Sequence, residues 1–430
     1  MEELKIHWFN WAQWWLAILL APLFIFPKVQ LWPIFLVVPL LLIMRYKITR
    51  EFWEKTPLDI PLLLIFLALL ATLPGISDFS HSLPKMSGLV FGMFFYYTLV
   101  SLLKTKSLIK LSLSFYLLGG ILLAVIGLLG MPTFTSKHLD SLMTIKDKLP
   151  TMNFNLPGAE LGFSTNAVGG TLLLVFPLFL VLTIRAWLRL WWPKPDHPTR
   201  PSKKSLLVLS AGGLFTGLVL LLTQSRGAWG GLVLSGLIVA LVYMGRRIKT
   251  KKALLLIVVL VISVILLVGL AIYSVKNIGP LNPGLKQAEG TLQFRIHVWN
   301  LTLPIIQDNP ICGVGLNNFR KMPEIRYFWS SAHNQFLHVA VELGIPALIA
   351  YMALLLIVAY MCLHVREKSP ISWVRTSILG LGWGQLAFVF FGLTDAIPLG
   401  AKVGFFFWLS IALITALYKF TFYYSPVNNE

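Results

Sequence analysis

Charge is scarce in this sequence. Only 12% of its 430 residues are charged and 57% are hydrophobic, whereas a soluble domain carries about 25% charged residues. A soluble chain of this length needs a polar surface that these residues do not supply, and the mean hydropathy of +0.77 says the same. The class is therefore an integral membrane protein before any motif is read. Carboxylates are the rarest charges, 17 in all. They form no intramembrane run that would suggest a proton relay and no pair that would hold a metal. Cysteine is almost absent. Cys312 and Cys362 lack metal-ligand spacing, and Cys362 lies deep in an apolar run, so a disulfide is not expected. Walker loop, dinucleotide glycine motif and zinc motif are all missing, so neither a metal nor a cofactor is expected. The formal charge of +19 does not point to nucleic acid, because the basic residues punctuate apolar segments and form no single patch.

What is present is a series of long apolar runs. A spanning helix needs about 20 mostly apolar residues, and 12 runs qualify. They cover roughly 11–27, 31–44, 58–74, 86–103, 108–130, 167–191, 206–223, 227–243, 253–275, 336–363, 372–393 and 402–422. The second is short and could be half of a re-entrant pair with the first. Trp11 to Phe26 has the look of a signal peptide but no small-residue cleavage site, so a retained first span is expected. With the N-terminus in the cytoplasm, 23 of the 36 Lys and Arg fall on cytoplasmic segments, among them Arg45, Lys104, Arg185, Arg246 and Arg366. An odd number of spans destroys this alternation, so both termini are expected inside.

The expected fold is thus all-α and polytopic, one transmembrane domain over 1–430, with about 12 transmembrane helices. It carries two long extracytoplasmic loops, 131–166 and 276–335, the larger containing short helices. Long connections without repeats are usually functional or disordered, and the second is patterned. Phe294, Val298, Leu301 and Ile305 fall on one side of a helix over 292–306. Pro310, Gly313 and Gly315 then mark a turn, and Tyr327, Phe328 and Trp329 an interfacial aromatic cluster.

The residues that could carry chemistry fall on the expected outer side. Arg226 interrupts two apolar runs in Thr223-Gln224-Ser225-Arg226-Gly227, and a charge near the membrane suggests function by default. A snorkelling arginine at a helix end is the alternative, weakened because the position runs against the positive-inside bias. Arg295 stands near the start of the amphipathic loop helix, with His297 on its polar or interfacial face. His333 and Asn334 stand where the tenth span opens, with Ser331 as its N-cap. A histidine there can act as a base near neutral pH or merely bind water. His338 is its rival. Five residues on is about 140° round a helix, so the two do not share a face. Asp395 ends the eleventh span and could pair with one of the arginines, and Asn166 opens the sixth, as a cap or a ligand. Arginine suits bidentate binding of phosphate, and a lipid diphosphate is the obvious anionic ligand at an outer membrane surface.

Ser225-Arg226-Gly227-Ala228, Arg295-Ile296-His297-Val298-Trp299, Asn309-Pro310-Ile311-Cys312-Gly313-Val314-Gly315, Ala332-His333-Asn334-Gln335-Phe336-Leu337 and Glu342-Leu343-Gly344-Ile345-Pro346 resemble, in order and spacing, the O-antigen ligase family. That family includes O-antigen polymerases and protein O-oligosaccharyltransferases, and the similarity runs from about Asn166 to Tyr360. It implies a metal-independent, inverting glycosyltransferase of the bacterial inner membrane with its site on the extracytoplasmic side. It also implies an undecaprenyl-diphosphate-linked glycan as donor, and a glycan, lipid A core or other hydroxyl as acceptor. Carried over, Arg226 and Arg295 bind the diphosphate and His333 is the base, while Asn334, Asn166 and Asp395 are candidates for substrate binding. A polymerase of the same units, or a flippase or exporter of lipid-linked glycan, is the alternative. A flippase needs cations in a central cavity between related halves, which the sequence does not display.

Overall fold

The computed structural model of the chain describes residues 8–9, 11–12, 14–16, 37–76, 78–131, 152, 163–192, 202–247, 292–323, 325 and 331–424. Among them the regular structure is helical. The main helices are α1 (Val37–Thr49), α2 (Asp59–Thr72), α3 (Phe79–Leu102), α4 (Lys106–Gly130), α5 (Thr165–Trp191) and α6 (Lys203–Leu222). They continue as α7 (Arg226–Arg247), α8 (Leu292–Asp308), α9 (Gln335–Lys368), α10 (Ser372–Gly392) and α11 (Phe405–Lys419).

Seven helices among the described residues are long and apolar enough to cross a membrane, and two shorter apolar ones cover Asp59–Gly75 and Arg226–Val242. These nine fall where nine of the 12 expected spans were drawn. Expected spans 11–27 and 253–275 lie wholly or mostly outside the described residues. So do the loop over 131–166, apart from its ends, and the aromatic cluster at 327–329. For the expected 31–44 span, α1 starts later and runs past it to Thr49, carrying the buried Arg45.

The helices are apolar on both faces, as a lipid surround permits. α6 turns Leu207, Val208, Leu214 and Leu221 outward and packs Gly212 against Phe179 of α5. Lipid tails are as apolar as leucine, so helices here associate through close packing and not through a hydrophobic driving force. Small residues make that possible: Gly380 and Gly384 of α10 seat against the backbone of α5 at Leu178 and Leu174, and Gly231 of α7 against Ala387 of α10. Some buried polar side chains find partners across the bundle, as Tyr116 Oη does at the Leu174 carbonyl, 2.8 Å. Away from the site, Glu54 is buried among Lys419, Tyr424 and Lys104, the last at 3.1 Å.

One helix is broken. Gly344 in α9 has φ +85°, a conformation that glycine adopts without steric cost, and Pro346 follows it. The break exposes backbone groups that must be satisfied, and the loop after α8 satisfies them. Val314 N donates to Val341 O (2.8 Å), Gly315 N to Glu342 O (3.0 Å), and Ile345 N to Pro310 O (2.8 Å). The loop turns through Gly313 at φ +61°, so the turn expected from Pro310, Gly313 and Gly315 is a docked one. α8 runs over Leu292–Asp308 and buries Phe294, Val298 and Ile305 as the spacing required. Leu301 is partly buried against the small core formed with Phe319, Ile325, Ala332 and Val341.

Candidate active site

Five segments meet at one end of the bundle: the first turns of α5, α7 and α9, the loop helix α8, and the turn after α10. Packing fixes the meeting. Gly227, beside Arg226, faces Thr394 so closely that a β-carbon there would overlap its hydroxyl. Gly169 of α5 faces Thr223 and Ser225 on the turn between α6 and α7. Trp299 of α8 donates from Nε1 to the Ala332 carbonyl, 3.0 Å, and Phe294 meets the His333 ring edge-on at 5.8 Å.

The approach to α9 is then sewn to the turn after α10 by three consecutive residues. His333 Nδ1 stands 3.2 Å from Asp395 Oδ1. Asn334 Nδ2 donates to the Leu393 carbonyl, 3.2 Å, and Gln335 Oε1 accepts from Ile397 N, 2.9 Å. Asn334 is the N-cap of α9, its Oδ1 accepting from Phe336 N and Leu337 N. Ser331 is not the cap expected from the sequence; its hydroxyl accepts from His333 N, 3.4 Å. His333 accordingly lies outside the helix, not in its first turn, and its backbone takes the left-handed φ of +47°. Such a conformation costs a non-glycine residue about 1–3 kcal/mol and persists only where the surroundings impose it. Here it aims the ring at Asp395. A carboxylate oxygen accepts, so this contact suits a ring that donates from Nδ1, and in the neutral form of such a ring Nε2 is the acceptor.

Asp395 is 95% hidden (5% exposed). Its Oδ1 also accepts from Ala396 N, 2.8 Å, and its Oδ2 lies 3.9 Å from Arg295 Nη2. Burial lowers the pKa of the Arg295 guanidinium, the Asp395 carboxylate opposes that, and the charge of Arg226 adds to it. The charge of Arg226 is thus felt at Arg295, although the two are distant in sequence. Arg226 is exposed and opens α7. Arg295 Nε and Asp395 Oδ2 are buried and have no hydrogen-bond partner among the described residues. Buried polar atoms are normally paired, so the cluster has hydrogen-bonding capacity in hand.

One expected site residue stands differently from expectation, and the rival histidine stands apart as expected. Asn166 is not the cap of α5; Ser164 is, its hydroxyl accepting from Ala167 N, and Asn166 sits half-buried in the first turn. His338 is buried one turn into α9, its Nε2 3.3 Å from Glu342 Oε2 and its ring edge-on to Phe319. These contacts are separate from those that join His333 to Asp395. The sequence reading gave Asp395 an arginine partner only; its second partner, His333, was missed. It also missed Glu342, although a carboxylate inside an apolar run, four residues after a histidine, was the available signal.

A bundle of apolar helices with a histidine, a carboxylate and two arginines gathered at one end defines a polytopic membrane protein with a polar, anion-competent site. Residues 207–352 match the family model described as O-antigen ligase, so the resemblance to the O-antigen ligase family holds. The match carries Arg226, Arg295, His333 and Asn334; Asp395 and Asn166 lie beyond it. In general terms it supports an enzyme acting on lipid-linked glycans. No curated protein matches the sequence.

Proposed function

We propose that the protein is a glycosyltransferase that moves a glycan from an undecaprenyl-diphosphate carrier to an acceptor hydroxyl at the extracytoplasmic face of the inner membrane. The observation that carries this reading is the Arg295–Asp395–His333 chain of contacts with the charge of Arg226 beside it. His333 Nε2 takes the proton from the acceptor hydroxyl. The hydroxyl oxygen bonds to the anomeric carbon from the side opposite the diphosphate, with inversion. The bond between that carbon and the diphosphate oxygen breaks, and its electron pair leaves with the undecaprenyl diphosphate. Arg226 and Arg295 stabilise the charge growing there. Asp395 holds the imidazole in the tautomer that accepts and stabilises the imidazolium that forms. Asn334 caps α9 and keeps its neighbour His333 in register, and Asn166 lies at the rim as a contact for the sugar.

In this reading the chain has 12 spans with both termini in the cytoplasm, and the loop over 276–335 covers the site. A polymerase of the same lipid-linked units runs the same chemistry on a different acceptor. The test is incubation of the purified protein with a lipid-diphosphate glycan and candidate acceptors, the product being identified by mass. Transfer that survives in both R226Q and H333A would remove the reading.

A further inference from the structure

α5, α9 and α10 each bring one end to the candidate active site, and their other ends meet on the opposite face of the bundle. Asn166 stands in the first turn of α5, and Arg185 about five turns further on. Asn334 caps α9, and Arg366 stands in its last turn. Asp395 follows α10, and Ser372 begins it. At this far end, cations from four helices converge on one stretch of chain, residues 369–375. Arg185 donates from Nη1 to the Ser372 carbonyl and from Nη2 to the Ser372 hydroxyl. Arg375 of α10 donates from Nη1 to the Ser369 carbonyl (3.3 Å), and Arg366 of α9 from Nη1 to the Arg375 carbonyl (3.4 Å). Lys110 of α4 sets its Nζ over the Trp373 ring, 5.3 Å from the ring centre.

The described carboxylates at this end are Glu51, Glu54, Asp59 and Glu367. None makes an ion pair with Lys110, Arg185 or Arg375. Glu54 is taken up by Lys104 and Lys419, Asp59 accepts from Thr56 and Tyr97, and Glu51 and Glu367 are exposed. A guanidinium has five N–H donors; the bonds above use two on Arg185 and one on Arg375. Both side chains are half-buried and Lys110 is exposed, so the cluster can be reached from outside. Beside Arg185 the surface of α5 is apolar and aromatic: Ile184, Trp187, Leu188 and Trp191 are exposed. Tryptophans so placed mark the level of the lipid headgroups. The positive-inside bias accounts for cations at this end, but not for their gathering on a single turn between helices. Basic pockets between helices at that level suit phospholipid headgroups, since arginine grips phosphate oxygens in pairs and the apolar flank takes the acyl chains.

We propose that Lys110, Arg185, Arg366 and Arg375 form a binding site for the phosphate headgroup of an anionic phospholipid, on the membrane face opposite the candidate active site. The lipid bridges the ends of α4, α5, α9 and α10 and so braces the helices whose far ends carry Asn166, Asn334 and the turn of Asp395. The site does not depend on the transferase reading.

The test uses the full-length chain in a neutral detergent, with melting followed by tryptophan fluorescence. Phosphatidylglycerol is added in one arm, phosphatidylcholine in a second and glycerol 3-phosphate in a third, at matched ionic strength. The variant is K110Q/R375Q, which leaves the Arg185 bonds between α5 and α10 in place. Its control is K203Q/K204Q, which removes two exposed charges from the start of α6 at the same end. Every shift is read against the same variant without lipid, so a lower starting melting temperature does not enter. If K110Q/R375Q does not fold, K110Q alone carries the comparison. The expected result is a rise of about 2 °C or more with phosphatidylglycerol over phosphatidylcholine, kept in K203Q/K204Q and lost or at least halved in the site variant. No rise in the parent chain, a rise that the site variant keeps in full, or an equal loss in K203Q/K204Q overturns the site. An equal rise with glycerol 3-phosphate overturns the lipid as its occupant. Melting needs no turnover, so the outcome is independent of whether the chain transfers glycan.

Discussion

Asp395 Oδ1 stands 3.2 Å from His333 Nδ1 across 62 positions of sequence. The pair joins the turn after α10 to the approach to α9, one residue ahead of its N-cap Asn334, and through Oδ2 it reaches Arg295 on the loop helix. The whole proposed mechanism depends on this one carboxylate being charged and in place.

Asp395→Asn keeps the shape and removes the charge. The imidazole loses the partner that holds Nε2 as an acceptor, and Arg295 loses its counter-charge. Transfer should fall about 10²–10³-fold, while donor binding, followed separately by filter capture of labelled donor, changes far less. Equal losses in both measurements would reduce Asp395 to a structural residue.

Arg226→Lys and Arg295→Lys keep the charge and lose the planar fork that grips two phosphate oxygens. Donor turnover should drop strongly in each, on the order of 10²-fold. Near wild-type turnover in both lysine variants would mean that bidentate recognition of diphosphate is wrong for this protein.

His333→Ala should abolish transfer and spare donor binding, since in the proposed mechanism the ring meets the acceptor and not the diphosphate. His338→Ala removes a buried ring packed on Phe319 and Glu342, and should lower the melting temperature while leaving measurable transfer in the folded fraction. The reverse pattern would make His338 the base.

Glu54 supplies a pH-dependent test. Burial raises its pKa, but the hydrogen bonds from Lys419 and Tyr424 and the charges of Lys104 and Lys419 outweigh that, so the net shift is downward. A depressed folded pKa contributes stability above the unfolded value of about 4.3, and that stability is lost as pH falls through the lower folded value. Glu54→Gln leaves Lys419 buried without its counter-charge and should cost about 3 kcal/mol at neutral pH. The gap between wild type and variant, read by denaturant melts, should close as the pH falls below the ordinary carboxylate range.

The expected topology is testable by labelling in a chain whose Cys312 and Cys362 are replaced by serine. Cysteines at positions Ser141 and Glu289 should react with an impermeant reagent from outside, and one at Ser202 should not. An inverted pattern would move the site to the cytoplasm and end the donor assignment.

Much of this protein could be read directly. Nine apolar runs gave nine helices, most with ends within a few residues though the one at Phe79–Leu102 begins seven residues early, because a membrane span must be long, apolar and internally hydrogen-bonded whatever it packs against. The loop helix was legible for a similar reason: Phe294, Val298 and Ile305 recur at a helical spacing, and burial on one side follows. An arginine partner for Asp395 was foreseen and is Arg295.

The tertiary structure alone decided the rest. Asn334 displaced Ser331 as cap because its amide could serve two purposes, accepting from Phe336 N and Leu337 N while donating to Leu393 O. No local rule contains that second bond. His333 took a left-handed backbone and left the helix because a distant carboxylate was there to meet it. Gly400 is packed on the Lys85 backbone, and the loop after α8 is docked into the break at Gly344, by contacts between segments far apart in the sequence. Spacing along the chain determines which face of a helix a residue occupies; which distant charge it meets depends on how the helices pack.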